Sequence, residues 1–184
     1  MSTNDGTTLL GANCPQTYGG PGLGGWKVSC VDAVRDGEDP SERSARQRSA
    51  ALEFAQDNPR RLPIVLGARV LRVLDLYRLD DQIISDRGEE RAGWSAWTGV
   101  VCFWILGLLA ILGWRRRPPG SAAVLVGPLL CVAATAVFFY GAHRLRAPAE
   151  PVIVLLAALA IAAVLRKFRF TSPAQSAGGA DGAT

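Results

Sequence analysis

Twenty-one consecutive residues, Trp94 to Trp114, carry no charge, and a tryptophan stands at each end of the run. At about 1.5 Å per residue, a helix over this stretch is as long as the ~30 Å hydrocarbon core of a bilayer is thick. Indole rings at both ends suit the headgroup level of a membrane. Every other segment then has to be placed relative to a bilayer.

Two further charge-free runs follow. Ser121 to Ala142 contains Pro128, a predicted kink, and has Phe138, Phe139 and Tyr140 near its end. Pro151 to Leu165 is closed by Arg166, Lys167 and Arg169. It is short unless it tilts little and its last cations snorkel. The pattern predicts an all-α membrane protein with three transmembrane helices, about 94–114, 121–142 and 151–166. A loop-rich and helical extracytoplasmic region precedes them. Cys102 and Cys131 lie within spans and read as packing residues. Residues 167–184, rich in Ala, Gly and Ser toward the end, are expected to form a disordered cytoplasmic tail.

The totals, 49% hydrophobic and 20% charged, resemble a soluble domain until the charges are located. Nearly all precede Trp94, flank the apolar runs, or follow Leu165. A net charge of +4, so scattered, does not argue for nucleic acid. The arginines beside apolar runs read as topology signals. Arg115, Arg116, Arg117, Arg166, Lys167 and Arg169 fall on one side, six cations against Arg87, Arg91, Arg144 and Arg146 on the other. The positive-inside rule puts the tail in the cytoplasm and the amino-terminal region outside, for a multi-pass protein of the plasma membrane. Met1 to Thr8 has neither a basic n-region nor an apolar h-region. Some ninety residues must therefore cross without a visible export signal. The expectation drawn is a carboxy-terminal piece of a longer polytopic protein.

Residues 1–40 form a glycine-rich loop, within which Cys14 and Cys30 bracket a stretch rich in glycine and aromatics from Tyr18 to Trp26. Gly20, Gly22 and Gly25 match a dinucleotide pattern in form, but no apolar strand precedes them and no helical pattern follows. No cofactor is implied. If the segment lies outside the cytoplasm the two cysteines can close a disulfide, stabilising by about 3 kcal/mol; otherwise they are two thiols. Without histidine partners they do not make a zinc site.

Residues 41–93 read as two amphipathic helices and an acidic linker. Ser41 is the predicted N-cap of a helix to Asp57, ended by Asn58-Pro59. A second helix is predicted from Pro63 to Leu79, with Arg69, Arg72, Asp75 and Arg78 as a narrow polar stripe three residues apart. Such a helix lies in the bilayer interface with its arginines toward phosphates, or packs into a larger membrane protein. Asp80, Asp81, Asp86, Glu89 and Glu90 read as a solvated connector.

Between the second and third runs stands His143-Arg-Leu-Arg-Ala-Pro-Ala-Glu-Pro151. A charged knot between two apolar runs predicts a tight turn at one membrane face. Arg144 and Arg146 have the planar fork that matches phosphate oxygens, Glu150 can orient one of them, and His143 can donate to a ligand. The plainer reading is an outer turn whose arginines meet lipid headgroups.

Several short motifs carry a resemblance to actinobacterial multi-spanning glycosyltransferases. They are Asn13-Cys14, Thr17-Tyr18-Gly19, Gly24-x-Trp26, Cys30, Arg61-Leu62-Pro63, Ala68-Arg69-Val70, and above all Arg144 through Pro151. The chain resembles the dolichyl-phosphate-mannose–protein mannosyltransferase group, glycosyltransferase family 39, of the GT-C architecture, over about residues 9–166. The resemblance implies sugar transfer from a polyprenyl-phosphate donor at the outer membrane face, with Arg144, Arg146, Glu150 and His143 toward the lipid phosphate. It places the family's catalytic carboxylate in a loop after the first span of the full protein, which this sequence does not contain. No residue here is therefore assigned a catalytic role, and activity is expected to require the missing amino-terminal membrane portion. The rival expectations are a small non-enzymatic membrane protein binding a partner or envelope component through its outer region, and a degenerate gene product.

Overall fold

A computed structural model describes residues 4–88 and 92–171, which are all-helical: seven α-helices joined by turns and short 3-10 segments, with no strand among the described residues. Glu89, Glu90 and Arg91 of the acidic stretch lie outside the described residues, as does the tail from 172 onward.

The amino-terminal segment is more ordered than a glycine-rich loop. Asp5–Ala12 forms α1, which packs along α2, Pro40–Asp57. Their contact is close: a side chain at Gly6 would strike the Ser44 backbone. The Ser44 hydroxyl accepts from the Gly6 N–H (3.1 Å) and donates to Asp5 (2.5 Å). The N-cap of α2 is Asp39, two residues before the predicted Ser41. Its carboxylate accepts from the Ser41 N–H (2.8 Å), while Glu42 reaches back to the Asp39 N–H (3.4 Å), a capping box. Pro40 then falls in the first turn, where its missing N–H costs nothing.

The second predicted helix stops early. α3 spans Leu62–Val73, not 63–79. Asp75 adopts φ 54°, the left-handed conformation, and the Leu76 N–H bonds Leu71 O (2.8 Å) while the Asp75 N–H bonds Arg72 O (3.1 Å). These are the paired bonds of a Schellman terminus, with Asp75 where glycine usually stands. The acidic stretch then starts a helix of its own, α4, Leu79–Gly88, with Asp80 and Asp81 in the first turn. The predicted solvated connector is corrected to that extent.

Three apolar helices make up the rest: α5 (Gly93–Trp114), α6 (Ala122–Phe138) and α7 (Glu150–Thr171). Gly93–Trp114 and the segment His143–Lys167 are long and apolar enough to cross a membrane. Only 17% and 33% of their most apolar windows is buried. Ala122–Phe138, at 17 residues, is shorter than the predicted 121–142 run. Phe139 to Ala142 leave the helix, and the predicted tight turn at the knot is instead a 3-10 helix, His143–Ala149.

Packing fixes the directions. Leu125 of α6 clusters with Ala110, Val152 and Leu156, whereas Val132 and Ala136 meet Val73 and Ala149. α6 therefore runs antiparallel to α5 and α7. Phe103 lies under the Arg146 guanidinium and Gly113 against Leu156, so α5 and α7 are parallel and staggered. The close pass at Gly113 is possible because glycine has no Cβ; one there would collide with the Leu156 carbonyl. Arg115–Arg117 thus sit at the end of the bundle away from the knot. α1–α4 cover the opposite end: the Gly141 N–H bonds Gly24 O (2.9 Å), and Arg69 donates to Val137 O (2.8 Å).

Candidate functional site

The arginine stripe of α3 faces inward. Arg69 and Arg72 are each 2% exposed. Arg69 donates to Ala12 O (2.8 Å), Asn13 Oδ1 (3.0 Å) and Val137 O (2.8 Å), joining α1 to the end of α6. Arg72 donates to Leu23 O (2.8 Å), Pro21 O (3.0 Å) and Asp81 Oδ2 (2.9 Å), joining the glycine loop to α4. Neither guanidinium is left facing a headgroup, which corrects the expectation that this helix turns its arginines toward phosphates. Burial pushes the Arg69 guanidinium below its ordinary value. For Asp81, burial raises the carboxyl, but hydrogen bonds from Lys27 and Arg72 outweigh it and hold the group below the usual carboxylate range.

The short amino-terminal motifs meet around these arginines. Asn13 Oδ1 also accepts from the Tyr18 hydroxyl (2.9 Å), and Tyr18 stacks edge-on against Phe54. Thr17 donates to the end of α1 at Ala12 O (3.0 Å). Gly24, at φ +75°, lets the loop lie directly on the Ala68–Arg69 backbone. Cys14 and Cys30 are joined in a disulfide that closes the same loop. These residues hold a layer together; their polar atoms are turned to one another.

The knot lies beside this layer, and its four charged or titratable side chains are used differently. Arg146 is 7% exposed. It pairs with fully buried Asp75, donates to Glu150 Oε1 (3.3 Å) and to Val73 O (3.4 Å), and lies 3.7 Å over the Phe103 ring. His143 donates its backbone N–H to Gln82 Oε1 (3.1 Å) and places Nδ1 3.8 Å from Asp75 Oδ1. Gln82 in turn donates to Asp75 (3.3 Å) and to Arg72 O (3.1 Å). Arg144 is turned outward, donating to the Tyr140 hydroxyl (3.0 Å) and resting by the same ring. Glu150 keeps its side chain half exposed.

These groups line one cleft of about 730 Å³. Asp75, Gln82, His143, Arg144, Arg146 and Glu150 form its polar part. Val100, Phe103 and Leu106 of α5, with Ile153 and Val154 of α7, form its apolar wall. The stagger of α5 against α7 creates the cleft, since the first half of α5 stands clear of α7. Arg144, Arg146, Glu150 and His143 thus come together, whereas Cys14 and Cys30 belong to the layer beneath.

Asp75, Gln82 and Phe103 were not foreseen as site residues. Asp75 had a signal: it is the one acid within a stripe of three arginines. Among the described residues no group of three or more His, Cys, Asp or Glu is arranged to hold a metal ion. Comparison of the chain with protein families, with curated proteins and with solved structures finds no match.

Proposed function

We propose that this chain is the donor-lipid-holding part of an integral-membrane glycosyltransferase. In this reading α5, α6 and the segment from the knot through α7 are three spans, with the α1–α4 layer on the outer side and the Arg115–Arg117 end in the cytoplasm. The cleft takes the phosphate of a polyprenyl-phosphate sugar at the outer face, and a further membrane portion brings the base that transfer chemistry requires. The observation that carries the reading is the cleft itself: arginine and histidine groups stand where an apolar wall begins. A lipid phosphate has that two-part chemistry, an anion joined to an isoprenoid chain.

The roles divide by environment. Arg146 is neutralised by Asp75 and Glu150 and serves to fix the knot. Arg144, outward and steadied by Tyr140, meets the phosphate, with His143 beside it. Titration of the purified full chain in detergent with a fluorescent polyprenyl phosphate, against the matching polyprenol, tests this. Loss of one charge-assisted contact in Arg144→Gln is expected to weaken phosphate binding about tenfold and leave the alcohol unchanged. Equal binding of phosphate and alcohol by the unaltered chain would sink the reading. It would favour the second one, a non-enzymatic membrane protein that binds a partner through the disulfide-closed outer layer.

A further inference from the structure

α3 is amphipathic in the wrong sense for a water-facing helix. Its buried face carries the cations Arg69 and Arg72, and its outward face is apolar. Ile64, Gly67, Leu71 and Leu74, spaced three, four and three, make that outward stripe, with the three side chains 51%, 41% and 39% exposed. Leu76, 61% exposed, continues it beyond the helix end. An apolar stripe of this extent on an extracytoplasmic surface has nothing to gain from water.

The position of α3 supplies the occupant. Arg69 reaches Val137 O, whereas Val73, one turn on, packs on Val132 and Ala136. α3 therefore descends antiparallel to α6, alongside its last two turns. At the lower end the Trp104 indole donates to Leu74 O (3.2 Å). Trp104 lies midway along α5, on the same outward face as Val101, Leu108 and Ile111. The stripe of α3 is thus continuous with the outward apolar face of α5.

The carbonyls at the end of α3 point the same way. Helix ends leave carbonyls without intrahelical partners, which water satisfies on a soluble protein and which hydrocarbon cannot. Here Val70 O takes the Leu74 N–H and Leu71 O the Leu76 N–H. Arg72 O takes the Asp75 N–H and Gln82 Nε2. Val73 O takes Arg146, and Leu74 O takes Trp104. Each of the five is supplied by the protein. At the other end Arg60 and Arg61 are exposed, suited to headgroup phosphates.

From these observations we infer that α3 is embedded in the outer leaflet, entering beside α6 with Ile64, Leu71 and Leu74 against lipid acyl chains and its arginines turned to the protein. The inference rests on the membrane reading above and needs none of the donor-lipid chemistry.

The test uses the full chain with Cys102→Ala and Cys131→Ala, the disulfide left intact, reconstituted in phosphatidylcholine–phosphatidylglycerol vesicles. Nitroxide labels are placed singly through Leu71→Cys, Leu74→Cys, Arg60→Cys and Ile111→Cys. Collisions with oxygen, which enters lipid, are compared with collisions with a water-soluble nickel chelate. Oxygen is expected to dominate at Leu71 and Leu74 as at Ile111, and nickel at Arg60. Nickel dominance at Leu71 and Leu74, with Ile111 still lipid-facing, overturns the embedding of α3 alone. Shielding of both from oxygen and nickel assigns the face to a protein partner and overturns it equally. Nickel dominance at Ile111 overturns the membrane reading along with it.

Discussion

The two halves of the molecule use arginine in opposite ways. In the layer formed by α1–α4, two guanidinium groups are buried and hold the chain by its carbonyls: Arg69 and Arg72 between them bind Ala12, Val137, Leu23 and Pro21. In the α5–α7 bundle the arginines stand at helix ends, and contact is made by small residues and aliphatic clusters around Gly113, Ala110 and Leu156. Directional polar bonds and one covalent closure tie this layer together. The bundle has apolar surface in excess and needs shape more than polarity. Arg146 belongs to both regimes: it grows from the knot of the bundle but pairs with Asp75 of the layer.

That joint is where the contrast breaks most severely. Arg146→Ala leaves the Asp75 carboxylate buried without its cation, and stability is expected to fall by roughly 3–5 kcal/mol, read by thermal unfolding in detergent. Exposure of α1–α4 to protease with α5–α7 still protected would locate the failure at the joint. Next comes the covalent closure. Reduction of Cys14–Cys30, or its replacement by serines, is expected to cost about 3 kcal/mol and to act on the layer alone, leaving protection of the bundle unchanged.

The bundle answers to bulk instead. Gly113→Leu forces α5 and α7 apart and is expected to cost roughly 1–3 kcal/mol, with no change in disulfide closure or in the exposure of α1–α4.

The smallest effect is the acid response of the layer's surface. Hydrogen bonds from Arg46 hold the Glu38 carboxyl at about 2, below its ordinary 4.5. Because the folded value is the lower one, this stabilisation is present above pH 4.5 and is lost as pH falls toward 2. Arg46→Gln is expected to flatten the acid limb of a stability–pH curve slightly. An unchanged limb would remove Glu38 from the account.

Much of the bundle was legible because a charge-free run has few alternatives. The bounds of α5 follow directly from Trp94 and Trp114. The end of α6 did not, since Phe139 to Ala142 are apolar and yet leave the helix, where Gly141 lies against the backbone of Arg69. The layer was harder to read for a physical reason. A polar stripe on an apolar helix states that polar partners exist, but water, phosphate and a backbone carbonyl satisfy an arginine alike. Asp75 in the left-handed conformation ended α3 six residues before the pattern did. At the knot the gathering of charge was visible from the residues, while the division of labour between Arg146 and Arg144 depended on Asp75, some seventy positions away.

The central claim is that α1–α4 and the knot share one face of the membrane, and Arg115–Arg117 the other. Reporter fusions truncated after Arg117 and after Ala147 measure it directly. The account predicts cytoplasmic activity for the first and exterior activity for the second. The reverse pattern would contradict it, and would withdraw the oxidising compartment from the disulfide and the outer-face donor from the cleft.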